Sequence, residues 1–445
     1  MSISRRNFIA ASTMGVATSA AIPAQAAAPA SAIGIDATDL GIKPGAPEEQ
    51  TLLLQRAIDR AAQSRTVLLL PPGVYRASEL RLPSHAKLHG TRGTTRIELM
   101  GSSSLFTSNR ADNIDLVGLV IDGGRKMPPK RRALIHLVQG VGLRLTDCEI
   151  VNAGRNGVTL ERVGGFISGC TIQDSGDGAL FAIDSQGLSI SGNVIRGSGN
   201  NGIQVWRSSP GDDGTLIADN RVEDTRADSG GDGPYGNAIN VFRAGNVMVR
   251  GNRIHNATFS AIRGNAASNI QITGNTCTKL GEVAIYSEFA FEGAVIANNT
   301  VDGATVGISV TNFDHGGRLA VVQGNLLRNL GPAEKGKGVG ISIEADSVVS
   351  GNVIENAPMI GIGVGYGSYL RDVIVSANVL RGTGIGVAVS VAPGAGTALI
   401  TDNLIADASR GAIVGMDLSR QVTGDMAKDG PGRYAQLTLS GNRVR

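Results

Sequence analysis

The chain has 445 residues, 62 of them glycine, with only 4% aromatic residues and 41 basic against 38 acidic side chains. That near-balance argues against a nucleic-acid or general polyanion binder, and three cysteines are too few for a disulfide framework. Past the first 26 residues, no stretch is long and apolar enough to cross a membrane as a helix.

The chain opens with Ser4-Arg5-Arg6-Asn7-Phe8-Ile9, a mild Ala/Thr/Gly-rich segment, and the cleavage-like triplet Ala24-Gln25-Ala26. Residues 1–26 hold two basic side chains and no acidic one, so the remainder carries a net charge near +1. An arginine pair ahead of a weakly apolar run resembles a twin-arginine export signal. Residues 1–26 are therefore expected to be a signal peptide, with the mature chain starting near Ala27 in the periplasm or outside the cell.

Residues 27–100 read as a cap and first coils. Asp36–Gly45 is extended, and Glu48–Gln63 predicts an amphipathic helix with Pro47 at its start, Glu48 and Glu49 in its first turn and Arg60 near its end. Leu52, Ile58 and Ala62 are expected to face one side. Short strands follow at Val67–Leu70 and Val74–Arg76 around Pro71-Pro72-Gly73. A helix over the first coil would hide unpaired strand edges.

Residues 101–445 are dominated by one returning phrase: apolar, x, apolar, x, Gly-Asn, x, apolar. It reads LSISGNVI at Leu188–Ile195, VMVRGNRI at Val247–Ile254, AVVQGNLL at Ala320–Leu327 and LTLSGNRV at Leu437–Val444. Asn193, Asn220, Asn252, Asn275, Asn299, Asn325, Asn352, Asn378 and Asn403 mostly recur about every 23–27 residues. Such a period means a solenoid whose repeats bury their apolar faces by stacking. Alternation of period two makes the repeats strands, and a second strand follows each phrase, as in Gly202-Ile-Gln-Val-Trp206 and Ala238-Ile-Asn-Val-Phe242. The fold class is an all-β, single-stranded parallel β-helix.

The recurrent Asn is expected to sit at a left-handed turn and to hydrogen-bond its counterparts in the coils above and below. Cys148 and Cys170 occupy the same column in the earliest coils, so the column should face inward. Adjacent coils could bring those two sulfurs to bridging distance, but buried free thiols are the simpler expectation.

The stretch DATDLGIKPG…LQRAIDRAA…VLLLPPGVYR resembles the N-terminal cap of the pectate-lyase superfamily, which implies a right-handed, pectin-lyase-like solenoid. Leader, cap and Gly-Asn repeats together resemble a family of twin-arginine-translocated repeat proteins without an assigned activity.

Alternation sorts the second strand of each coil. Ile203/Val205, Ile239/Val241, Ile308/Val310 and Ile341/Ile343 point inward. One outward column is then Gln204, Asn240, Arg263, Tyr286, Ser309 and Ser342. The other is Trp206, Phe242, Asn265, Glu288, Thr311 and Glu344. Towards the C-terminus both columns become inert at Gly363, Gly365, Ala388 and Ser390. Aromatic platforms mixed with amides, carboxylates and Arg suit a polysaccharide or oligosaccharide partner.

Three loops should overhang the stripe: Ser208–Gly214, Asp224–Gly236 and Asn312-Phe313-Asp314-His315-Gly316. Candidate catalytic residues are Arg263, Tyr286, Glu288, Asp314 and His315. Proton abstraction beside a uronate needs a base, a neutralising Arg and an acid, with His315 or Tyr286 as base or acid. Candidate substrate-binding residues are Trp206, Asn240, Phe242, Asn312 and Glu344. The plainer alternative is an ordinary solvated strand face.

Asp212-Asp213 is similar to the paired aspartates of polygalacturonases, but the accompanying Asn-Thr-Asp and Arg-Ile-Lys signatures are missing. Asp314-His315 is similar to the Asp-Pro-His of alginate epimerases without its proline. The remaining histidines, at positions 85, 89, 136 and 255, show no metal-ligand spacing. Calcium held by Asp174, Asp177 and Asp184, as in pectate lyases, is the only cofactor the resemblance allows; turn aspartates account for them more simply. The expectation is an exported carbohydrate-active protein, a polysaccharide lyase, epimerase or hydrolase, with no nucleic acid and no membrane span. The alternative is a non-catalytic β-helix that binds envelope glycan or a protein partner.

Overall fold

The computed structural model describes residues 34–129, 133–230, 233–311, 317–331 and 337–445. The leader and Asn312, Asp314 and His315 lie outside the described residues. From Gly34 onward the chain winds through about 13 turns of an all-parallel β-solenoid.

Each turn contributes three short strands, and equivalent strands of successive turns pair in parallel register. In the first sheet Asn201–Asp212 pairs with Asn237–Gly245, then Ile262–Asn265, then Val283–Glu288, then Val306–Thr311. The second sheet stacks Leu216–Ala218, Met248–Arg250 and Ile270–Thr273. The third stacks Arg221–Thr225, Arg253–Ala257 and Thr276–Leu280. Pairing starts with Gly34–Asp36 on Val67–Leu69, so the first coils are continuous with the repeats.

The predicted inward residues Ile203, Val205, Ile239, Val241, Ile308, Val310, Ile341 and Ile343 are all buried. They belong to one aliphatic core running from Ala37 to Leu437. Aliphatic side chains of successive coils stack in register, and Tyr75, Phe106 and Phe291 are the large aromatics buried among them.

Between the second and third sheets the asparagines form an unbroken ladder. Oδ1 of Asn325 accepts from the backbone N–H of Asn299 at 2.9 Å and from Asn299 Nδ2 at 3.0 Å. Asn325 Nδ2 in turn donates to Ile296 O and to Asn352 Oδ1. The same contacts recur from Asn193 to Asn442. At the lower end Asn193 Oδ1 accepts from the Cys170 N–H at 2.9 Å, so the cysteines do continue the column; Cys148 and Cys170 are buried free thiols.

The left-handed turn, however, falls one residue earlier than expected. Gly192, Gly251, Gly274, Gly324 and Gly351 have φ of 63–67°, and in the looser copies Asp219, Asn298, Ala377 and Asp402 take the same conformation. The Gly-Asn phrase therefore divides the work: the first residue makes the turn and Asn bonds the neighbouring coils.

The capping helix spans Thr51–Gln63, starting three residues later than predicted. Glu49 precedes it, accepting from the Thr51 hydroxyl and from Ser78 N. The buried stripe is Leu54, Ala57, Ile58, Ala61 and Ala62, while Leu52 is 74% exposed. With the first turn at Thr51, Leu54, Ile58 and Ala61 share the i, i+4, i+7 face and Leu52 points away from it.

At the other end Ile413–Asp417 pairs antiparallel with Arg420–Asp425. Asp425 accepts from Ala412 N and Ile413 N and caps a helical turn at Met426–Asp429. This hairpin closes the first sheet, while the other two end in Leu437–Ser440 and Arg443–Val444.

Candidate functional site

Register carries the outward residues of the first sheet into two columns. Gln204, Asn240, Arg263 and Tyr286 align, and so do Trp206, Phe242, Asn265 and Glu288. The residues between them, such as Val205, Val241 and Ser287, are buried, so both columns face outward together. All of them but Gln204 wall a cleft of about 560 Å³.

One wall is aromatic. The Phe181 and Trp206 rings meet edge to face with centroids 5.4 Å apart, and Trp206 and Phe242 lie 5.4 Å apart at a tilt. The Arg243 guanidinium sits 4.7 Å above the Phe242 ring. Trp206 and Phe242 line the cleft, with Phe181 edge-on beside Trp206 on the preceding coil, and exposed ring faces of this kind are what C–H faces of sugars stack on.

The next two coils of the same face are polar. Glu288 Oε1 accepts from Arg263 Nε at 2.7 Å, from Arg263 Nη2 at 2.6 Å and from Asn265 Nδ2 at 2.8 Å. Both charged side chains are nearly enclosed, at 11% and 4% exposure, so removing either would leave the other buried without its partner. The Arg263 guanidinium also lies 5.2 Å from the centre of the Tyr286 ring. Burial pushes the Tyr286 phenol above its ordinary value, so at neutral pH it is a proton donor. Arg263 therefore spends two of its nitrogens on Glu288, and the pair presents no net charge to a ligand.

The Asp224–Gly236 insertion does overhang the cleft. Pro234 O accepts from Asn201 Nδ2 at 2.9 Å and Asn240 Nδ2 at 3.4 Å, and Gly233 O accepts from Asn237 Nδ2 at 2.8 Å. Gly233 has a φ of 90°, and a Cβ there would approach Arg263 Nη1 to 3.2 Å. Glycine lets the loop turn and lie against the guanidinium.

Six of the sequence-derived site residues thus meet: Trp206, Asn240, Phe242, Arg263, Tyr286 and Glu288. Glu344 does not join them; it is buried, at 3% exposure, beyond the cleft wall. Asn312, Asp314 and His315 fall outside the described residues. The Ser208–Gly214 loop stays off the cleft. Ser208 bonds to Asp184 through its N–H and hydroxyl, and Arg243 Nη1 donates to Ser208 O. Asp213 is buried, which pushes its carboxyl up, and it accepts from the Thr215 N–H.

Asp174 and Asp184 occupy left-handed turn positions, and Asp177 accepts from Asn200 Nδ2 at 2.7 Å. Among the described residues no three His, Cys, Asp or Glu side chains cluster as a metal site, and no helix is long and apolar enough to cross a membrane.

Glu282, Phe289 and Pro234 also line the cleft, and alternation alone does not reveal them. Phe289 follows Glu288 at a φ of 60°, so a turn rather than the strand brings it to the cleft mouth. Glu282 precedes its strand and Pro234 lies in the insertion. Phe181 was legible: it stands one register step from Gln204 in the same alternating column.

No curated protein matches the sequence. Among solved structures, the chain is similar to an N-terminal fragment of gene product 12 of bacteriophage Phi29, with a TM-score of 0.50 at 15% identity over 93% of this chain and 72% of that one. It is also similar to DFA-IIIase from Arthrobacter chlorophenolicus A6, with a TM-score of 0.50 at 14% identity over 78% and 93% of the two chains. An alpha-1,3-glucanase from Streptomyces thermodiastaticus strain HF3-3 aligns over 94% of this chain and 70% of its own, at 16% identity and a TM-score of 0.46. At these identities the likeness concerns the fold. The family model for a right handed beta helix region matches residues 156–316 and 292–443, and with the ladder and the three parallel sheets this places the chain in the right-handed β-helix family.

Proposed function

We propose that this chain is an exported protein that acts on a polysaccharide or oligosaccharide through the cleft between Trp206 and Glu288. The observation that carries the reading is the contact of Trp206 and Phe242 beside Asn240, Asn265, Tyr286 and Glu288 in one cleft, with Gly233 and Pro234 at its edge. A stacking surface beside convergent hydroxyl-binding groups is the chemistry a sugar ring needs.

Within that reading, acid-assisted cleavage fits the cleft better than proton abstraction beside a uronate. Abstraction calls for a cation free to neutralise the substrate carboxylate, and Arg263 is already neutralised by Glu288. Tyr286 keeps its proton and can donate it to a leaving oxygen, with the Glu282 and Glu288 carboxylates in the same cleft. Non-catalytic glycan binding is the second reading, and the pinning of Glu288 by three donors favours it. Export rests on the arginine pair Arg5-Arg6 and its apolar follower, and it places the protein with the envelope or external glycans such a cleft would meet.

The test is a panel of neutral and uronate-containing oligosaccharides assayed for both turnover and binding. Trp206→Ala should lower affinity at least tenfold for any glycan that binds. Tyr286→Phe keeps the ring under Arg263 and should cut turnover by about 10² or more while leaving affinity within threefold. Unchanged affinity in Trp206→Ala rejects the cleft; binding without turnover, and no effect of Tyr286→Phe, selects the non-catalytic reading.

A further inference from the structure

The outward stripe does not end at the aromatic platform. Register carries it back from Gln204 through Phe181 and Thr159 to His136 and Thr107. There the same face opens into a second cleft of about 390 Å³, whose walls include Glu79, Arg81, Thr107, Asn109, His136 and Glu161.

His136 is 9% exposed and lies with Nε2 2.9 Å from Glu161 Oε1, while its Nδ1 is buried with no partner among the described residues. A proton on Nδ1 would be a buried donor without an acceptor, whereas a proton on Nε2 has a carboxylate to meet. These contacts fix the neutral ring as the Nε2–H tautomer. His136 is then a positioning residue whose one proton holds Glu161 in the cleft. Glu79 is held in a similar way, its Oε1 accepting from the Thr107 hydroxyl at 3.1 Å. The cleft thus offers two oriented carboxylates, a guanidinium, two hydroxyls and an amide, and among the described residues no Phe, Tyr or Trp lines it. Among the described residues its acidic and histidine groups form no metal-ligand set.

We propose that this second cleft binds the hydroxyl groups of an uncharged sugar. Each carboxylate can accept from vicinal hydroxyls, and Arg81 and Asn109 donate to ring or hydroxyl oxygens. The cleft lies three strand steps from the level of Trp206 and five from that of Arg263. At ~4.8 Å per step that is about 14 and 24 Å along the rod. One extended glycan lying parallel to the solenoid axis would reach both clefts, while a short one would fill only one. The proposal goes beyond the reading of the first cleft, because it needs neither Trp206 nor Tyr286.

The experiment is calorimetric titration of the whole protein with neutral gluco-, manno- and xylo-oligosaccharide ladders of two to eight sugars. Glu161→Gln should weaken the longest binding oligomer at least tenfold and leave disaccharide binding at the Trp206 cleft within twofold. His136→Phe should reproduce the Glu161→Gln loss, and His136→Gln, which restores an N–H donor, should recover most of it. Circular dichroism melts confirm that each variant is folded. Equal affinity of wild type and Glu161→Gln at every length overturns this proposal alone, provided Trp206→Ala still weakens binding. If no oligomer binds, or if Trp206→Ala is also silent, both readings fall.

Discussion

Replacing Asn325 by alanine removes four side-chain hydrogen bonds at once, and the structure shows which groups they leave behind. The Asn299 backbone N–H loses its acceptor, Asn325 Oδ1, and the Ile296 carbonyl loses its donor, Asn325 Nδ2. Both sit where Asn299 and Asn325 are 1% exposed, so water does not replace the lost partner. Asn299 Nδ2 keeps Ile272 O, and the Asn325 N–H keeps Asn352 Oδ1, so neither of those is orphaned. Two buried orphans at about 1–3 kcal/mol each give an expected loss of about 4 kcal/mol. Asn442 ends the ladder and is only half-buried, so Asn442→Ala lets water reach the groups it leaves and should cost about 1 kcal/mol. Because a solenoid can open coil by coil, native-state hydrogen exchange is the better assay than a single melting point. The Asn299 amide should exchange roughly 10³-fold faster in Asn325→Ala, since about 1.4 kcal/mol corresponds to a factor of ten. Asn325→Asp keeps both acceptor contacts but turns an oxygen toward Ile296 O and Asn352 Oδ1, so it should be at least as damaging at neutral pH. Equal losses in Asn325→Ala and Asn442→Ala, or an Asn299 amide whose exchange is unchanged, would refute the claim that the ladder stabilises the rod.

Three further outcomes follow from the same structure. Arg263→Ala should destabilise by about 3–5 kcal/mol because it leaves Glu288 buried and uncompensated, whereas exposed Arg381→Ala should be silent and the double variant Arg263→Met, Glu288→Leu should recover much of the loss; additive losses in urea titrations would contradict the pairing. Burial pushes the Cys277 thiol from 9.0 to about 12. The unfolded chain therefore releases this proton above pH 9 while the native one retains it, so the native advantage is whole below pH 9 and shrinks by about 1.4 kcal/mol per pH unit above it. Cys277→Val should flatten that part of the alkaline slope between pH 8 and 10, and an identical slope in both proteins would count against it. Arg5→Lys with Arg6→Lys should retain the precursor in the cytoplasm, and undiminished mature protein in the periplasmic fraction would point to another export route.

Regular repetition is what made this fold readable from residues alone. A residue such as Val241 or Ile308 is defined by its alternation within one coil and by its equivalents in the next, so two independent periods agree on where it points. The same redundancy located the aromatic and polar columns of the cleft, since Arg263 and Tyr286 could be placed by counting from Asn240. It also explains the errors. Leu52 lies in the capping helix, where no second copy corrects the phase, and six residues before Ile58 it stands about 120° round the helix from the buried face. Pro234 and Phe289 reach the cleft through an insertion and a left-handed turn, which interrupt the period on which the inference depends. His136 looked scattered among the histidines because its partner, Glu161, lies 25 residues away. That separation is one coil, so in a solenoid the useful neighbour of a polar residue is the one a repeat length away. Read in that way, Thr107, His136 and Thr159 join Phe181 and Gln204 in a single outward column, and the two clefts lie along one face of the first sheet.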